Sequence, residues 1–170
     1  MSDCSNTVEE VLELAVAQGI THLAFSDHDT TERAFEHVKM AEACGIHAVV
    51  AVEMSAMHRK SGKKVHILGY GYKDGSIIEK IGQKTLEKRN ENCLKQIEIL
   101  TNLGYRMDIA EIKKIAGGCI YKQHILDYLV KTGQSEALFG KIYSTIFKNK
   151  GPCDFDIQYP EAADAVCQIG

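Results

Sequence analysis

Between residues 7 and 72 the chain repeats one pattern: a helix-like stretch, a glycine, then a short apolar run. That alternation constrains the fold more than any other feature. A helix that stops on glycine and hands over to a buried strand is the building unit of a parallel α/β sheet or barrel. Residues 7–18 are expected to be helical. Val8, Val11, Leu12, Ala15 and Val16 make one apolar stripe, Thr7 and Glu10 have capping-box spacing, and Gly19 is the stop. Residues 20–25 then read as a buried strand. Residues 31–43 repeat the helix, with Ala34, Val38 and Ala41 on one face and Gly45 as terminator. The Val-rich run 46–52 is a second strand. Residues 64–72, with Val65, Ile67, Leu68 and Tyr70, are a third.

The pattern changes at Lys73-Asp74-Gly75, a turn signal. Residues 76–103 carry helical periodicity up to Gly104, and Asp108 with Glu111 marks the start of a short helix to Ala116. Residues 122–132 and 135–149 read as two more helices, and no strand signal lies between 76 and 150. From Pro152 the chain turns extended, and Pro160 opens a last helix over 161–168. Three regions follow: 1–73 as the start of a parallel α/β sheet or barrel, 74–151 as an all-helical insertion, and 152–170 as a return to the α/β part.

Candidate chemistry gathers near the expected strand ends, where parallel α/β folds place their sites. Ser26-Asp27-His28-Asp29 follows the first apolar run and sets an imidazole between two carboxylates. The ring offers a ligand nitrogen, and the carboxylates can ligate or fix its tautomer. Glu53 follows the second run, and His66 lies in the third. Structural alternatives exist for each: a hydrogen-bonded strand-end histidine, the first residue of a solvent loop, a satisfied core histidine. His22 reads as structural or exposed, and His37, His47 and His58 as surface histidines.

Net charge is −3, so a basic surface for duplex nucleic acid is not expected. Cysteines 4, 44, 93, 119, 153 and 167 are scattered, which suits reduced thiols in a cytoplasmic protein better than a disulfide frame. No apolar run approaches membrane length.

Several stretches resemble the PHP (polymerase and histidinol phosphatase) family. They are Ser2-Asp3, Phe25-Ser26-Asp27-His28-Asp29-Thr30, Val52-Glu53-Met54-Ser55 and Val65-His66-Ile67-Leu68-Gly69-Tyr70, then Lys88-Arg89-Asn90, His124-Ile125-Leu126 and Lys148-Asn149-Lys150-Gly151. Asp29-Thr30 is similar to the branch that hydrolyses nucleoside 3′,5′-bisphosphates and short RNA ends. The resemblance implies a distorted (β/α)₇ barrel, here partial, with a helical insertion and a site for divalent metal ions (Mn, Fe, Zn or Mg). It carries Asp3, His28, Glu53 and His66 onto metal positions, with Asp3, His28 and Glu53 catalytic and Glu53 as the bridging carboxylate. Lys88, Arg89, Lys122 and His124 correspond to substrate-binding segments, where a second phosphate of a nucleotide or short oligonucleotide would be held.

The resemblance also has gaps. The family's His-x-His precedes Ser-Asp, whereas Met1 stands directly before Ser2 here. Its later His-Pro and Asp-x-His segments have no counterpart, and Cys4 replaces a glycine. The expectations are therefore a central fragment, weak metal binding, little activity by this chain alone, and oligomers through open sheet edges. The alternative is a non-catalytic remnant or a domain that binds a phosphorylated ligand.

Overall fold

The computed structural model describes residue 2 and residues 6–169. Two compact units emerge from the pattern of internal contacts. One holds Asn6–Thr85 and the terminal stretch from Tyr159; the other holds Leu86–Gln158.

The first unit begins with α1, Val8–Ala17. Thr7 Oγ1 accepts the Glu10 amide at 3.2 Å, and Glu10 Oε2 accepts the Thr7 amide at 2.9 Å, so the capping box forms as its spacing predicts. Val8, Leu12 and Ala15 form its buried stripe. Gly19 adopts φ +68°, a conformation that costs other residues free energy, and so ends the helix. Strand β1, His22–Phe25, follows; then α2, Ala34–Ala43; then strands β2, His47–His58, and β3, Lys63–Tyr70. The helix α7, Ala162–Ile169, packs back onto β2 and β3.

Among the described residues the sheet has three strands in the order β1-β2-β3. It is mixed, which corrects the all-parallel expectation: β1 pairs parallel with β2, but β2 pairs antiparallel with β3. The short turn Arg59–Gly62, with Gly62 at φ +64°, permits the reversal. β2 is also longer than the Val-rich run suggested, and continues to His58.

Strand alternation gives the sheet two unlike faces. Val50, Val52, Met54 and Ala56 point into a core completed by Ala34, Tyr72 and Ile78. The opposite face carries Glu53 and Ser55 from β2 and His66 from β3. It leaves Val49, Leu68 and Tyr70 half exposed.

Helix α3, Ser76–Asn102, starts in the first unit and ends in the second. The second unit adds α4, Ile109–Ala116; α5, Lys122–Lys131; and α6, Lys141–Ile146. Asp108 caps α4 by accepting the amides of Ala110 and Glu111. The expected helix over 135–149 shrinks to α6, because residues 135–140 form turns instead. One apolar core built on Cys93, Ile97, Leu100, Ile112, Ile125, Leu129 and Phe147 fills this unit. No helix among the described residues is long and apolar enough to cross a membrane.

Candidate metal centre

Backbone pairing assembles the site. The register that sets His22 opposite His47 and Phe25 opposite Val50 resumes beyond β1, where His28 lies opposite Glu53 in a parallel bridge. The Glu53 amide donates to the Asp27 carbonyl and the Asp29 amide to the Glu53 carbonyl, each at 3.0 Å. On the other side, Ser55 faces His66 across the antiparallel ladder and Glu53 faces Leu68. Glu53 and His66 are therefore diagonal neighbours on one face, within reach of long side chains. Glu53 stands in mid-strand rather than at the strand's carboxyl end as the sequence suggested, and His66 lies within its strand, as read from the sequence, though that strand is antiparallel.

His28 Nε2 lies 3.5 Å from Glu53 Oε2, and His66 Nδ1 lies 2.5 Å from Glu53 Oε1. The two imidazoles meet edge to face with centroids 4.9 Å apart. His28 is buried, Glu53 half-buried and His66 exposed, so the cluster has a dry side and an open side. One ligand atom from each of the three lies within 4.8 Å of the other two. Two imidazole nitrogens and a carboxylate suit zinc, manganese or iron, and three protein ligands leave coordination positions for water or substrate. The donor set fits a divalent metal.

The supporting residues are as specific as the ligands. Asp29 is fully buried and adopts φ +58°, an uncommon conformation for a residue with a side chain. Its Oδ1 accepts the Ser55 amide at 2.8 Å, and Ser55 Oγ lies 3.5 Å from His28 Nδ1. Tyr72 belongs to the core that also holds Val50 and Val52, and its hydroxyl donates to the Ala51 carbonyl. Burial, with the charges of Glu79 and Asp27, pushes its hydroxyl pKa up to about 12.

His37 corrects its sequence reading as a surface histidine. It is fully buried, edge-on to Phe25, with Nδ1 3.7 Å from Asp27 Oδ2. Its position on the inward face of α2, in line with Ala34 and Ala41, explains the burial. Burial lowers its pKa, partly opposed by Asp27.

Asp3 lies outside the described residues. Lys88, Arg89, Lys122 and His124 belong to the helical unit. There the Arg89 guanidinium lies over the Tyr121 ring at 4.9 Å, and the Lys122 ammonium over Phe147 at 5.8 Å. His124 is buried, and its Nδ1 accepts the Tyr121 amide at the start of α5. Sequence reasoning missed Glu79, which binds the loop after His28. An acid in the first turn of a helix ordinarily signals only compensation of the helix dipole, so its sequence position was silent.

Comparison with known proteins agrees with this geometry. The family model for the PHP domain matches residues 1–169. A phosphoribosyl 1,2-cyclic phosphate 1,2-diphosphodiesterase of Eggerthella lenta is 39% identical over 169 residues, which are 98% of this chain and 64% of the relative. A 5′-3′ exoribonuclease of Haemophilus influenzae is 28% identical over 126 residues, 74% of this chain and 45% of the relative. The chain therefore spans less than two thirds of either relative. Two solved structures share the fold. A Bifidobacterium adolescentis protein assigned as a metal-dependent phosphoesterase superposes with TM-score 0.87 at 21% identity, over 99% of this chain and 59% of its own. An amidohydrolase of Chromobacterium violaceum, with bound sulfate and no metal, gives 0.87 at 24% over the same shares. With a sequence relative at this identity and a family model spanning the chain, the protein belongs to the PHP domain family.

Proposed function

We propose that this chain carries the metal centre of a phosphoesterase acting on a small phosphorylated molecule with a ribose core. The observation that carries the reading is the convergence of His28, Glu53 and His66 on one face of the sheet. A divalent ion bound there would supply Lewis acidity: an acidified water as nucleophile and neutralised charge on the phosphoryl oxygens. Glu53, between two imidazoles, is the natural shared ligand. Ser55 orients the His28 ring, and the buried side of the cluster limits water on that flank. The open side at His66 admits substrate.

The substrate class rests on two relatives whose names share phosphorylated ribose: one a ribose cyclic phosphate, the other RNA. A nucleoside 3′,5′-bisphosphate belongs to the same chemical class. Lys88, Arg89, Lys122 and His124 are proposed as substrate-binding residues, with Arg89 able to grip a phosphate bidentately and Lys122 as a mobile charge. The sheet, in this reading, is part of a barrel of the (β/α)₇ type.

The test is phosphate release and ring opening by the purified chain, with Mn²⁺ or Zn²⁺ added, from a phosphoribosyl cyclic phosphate, a nucleoside 3′,5′-bisphosphate and an aryl phosphate. Turnover of a ribose phosphate that is abolished by chelator and by Glu53→Ala supports the proposal. Metal-dependent binding of these compounds without turnover favours the phospholigand-binding alternative. Neither binding nor turnover would sink both.

A further inference from the structure

The loop that follows His28 is held by a carboxylate from outside the candidate ligand set. Glu79, on α3, reaches across to residues nearly fifty positions upstream. Its Oε2 accepts the Thr31 amide at 2.6 Å and stands 3.0 Å from Thr31 Oγ1; the Thr30 hydroxyl lies 3.1 Å and 3.2 Å from its two oxygens. The Thr30 oxygen in turn accepts the Glu32 amide at 3.2 Å, so one hydroxyl links the carboxylate to the next backbone donor. Thr31 Oγ1 also lies 3.2 Å from the Gly75 carbonyl, an alternative acceptor for its single proton.

Helix α3 touches the same loop a second time. Gly82 packs so closely on the Asp29 carbonyl that a Cβ there would collide with it. Asp29 directly follows His28 and holds a strained left-handed conformation, the one described residue with a side chain in the α/β unit to do so. A strained residue of this kind persists only where its surroundings over-determine it. β2 holds it on one side, through the Ser55 amide and the Glu53 carbonyl. α3 holds it on the other, through Gly82 and Glu79. An ordinary first-turn acid would stay on its own helix and face solvent. Glu79 instead gathers the donors of two consecutive threonines, and charge-assisted bonds of this kind are stronger than neutral ones.

We propose that Glu79 is a positioning residue for the metal centre, acting through Thr30 and Thr31 to hold His28 at ligating distance from Glu53 and His66. The proposal rests on the metal-centre reading above. Removing Glu79 would release the loop, relax Asp29 and let the His28 ring drift from its partners.

The experiment is a cobalt(II) titration followed by visible absorption, whose bands report ligand geometry at the ion. It uses the wild-type chain, Glu79→Ala, Glu79→Gln and Gly82→Ala, with a melt of each metal-free protein to establish folding. Glu79→Ala is expected to weaken cobalt binding by about 10- to 100-fold, the usual effect of removing a group that orients a metal ligand, and to shift the bands. Glu79→Gln keeps an acceptor oxygen for the Thr31 amide and should recover most of the affinity and the wild-type bands. Gly82→Ala pushes on the Asp29 carbonyl from the α3 side and should weaken binding even where Glu79→Ala fails to fold. A folded Glu79→Ala with wild-type affinity and spectrum would overturn the proposal. Equal losses in the Ala and Gln variants would also overturn it, because the effect would then come from charge rather than placement. If the wild-type chain binds no cobalt, the metal-centre reading falls first and this inference with it.

Discussion

The helical unit and the α/β unit bury different kinds of atoms. In the helical unit the described core is almost wholly apolar: Ile97, Leu100, Ile112, Ile120, Leu129 and Phe147 are at most 1% exposed, and Gln96 and His124 are its buried polar residues. The α/β unit interleaves its core with His28, Asp29, Thr31, His37, Ser55 and Thr85. Burying polar groups costs free energy unless each finds a partner. The difference teaches what each unit's fold must satisfy: one relies on apolar packing, the other must find partners for the polar groups it buries.

The largest expected effect tests the packing side. Phe147→Ala should destabilise the helical unit by about 3–5 kcal/mol, the usual loss for a buried Phe. Val49→Ala, on the half-exposed sheet face, should change stability by no more than about 0.5 kcal/mol. Urea denaturation of both variants is the check. A comparable loss at Val49 would mean that the exposed sheet face is covered in solution.

Next comes the chemical side. Glu53→Ala removes the carboxylate shared by His28 and His66. Metal affinity should fall by more than about 100-fold, above the range for groups that only orient ligands. The metal-free chain should lose about 1 kcal/mol or less, as for partly exposed ion pairs. Equilibrium dialysis and a metal-free melt give the two numbers. A large stability loss with unchanged metal binding would turn the cluster into a structural ion pair.

The same contrast explains what the sequence made legible. Local signals survived: the Thr7–Glu10 box, the Gly19 and Gly45 stops, the Asp108 cap and the apolar periodicity of α3 all lie within a few residues of what they control. His28, Glu53 and His66 stood out because each chemical residue type occurs within or beside an apolar run. What failed was non-local. The antiparallel turn into β3 depends on Arg59–Gly62, which resembles any charged loop. The extension of β2 past Glu53 runs through Ser55 and His58, residues with no strong strand pattern. Glu79 and Gly82 matter only because α3 folds back on residues 29–31, a contact that no spacing rule could expose.

A pH series separates the units more finely. Burial depresses the pKa of His37 below its usual value near 6.5, whereas an unfolded chain keeps that value. Below about pH 6.5 the unfolded state therefore binds a proton that the folded state refuses, and stability falls as pH falls toward the folded pKa. One proton limits this contribution to about 1.4 kcal/mol per pH unit. His37→Leu should flatten the slope between pH 7 and pH 5 in urea midpoints, and its effect should appear in probes of the α/β unit. An unchanged slope would show that His37 retains its proton when folded, paired with Asp27.

The smallest effect addresses whether the contrast is thermodynamic as well as compositional. Thr7 caps α1 in the α/β unit, and Asp108 caps α4 in the helical unit. Each hydroxyl or carboxylate satisfies amides that the helix itself leaves without acceptors. Thr7→Ala and Asp108→Ala should each cost about 1 kcal/mol. The location of the loss is more informative than its size. If the units open separately, Thr7→Ala should lower hydrogen-exchange protection in α1, β1 and α2 and leave α4 and α5 unchanged, and Asp108→Ala should do the reverse. Equal loss of protection in both units from either variant would mean one cooperative structure. The stability of the apolar helical core would then be coupled to that of the α/β unit, and the two kinds of burial would be parts of one balance.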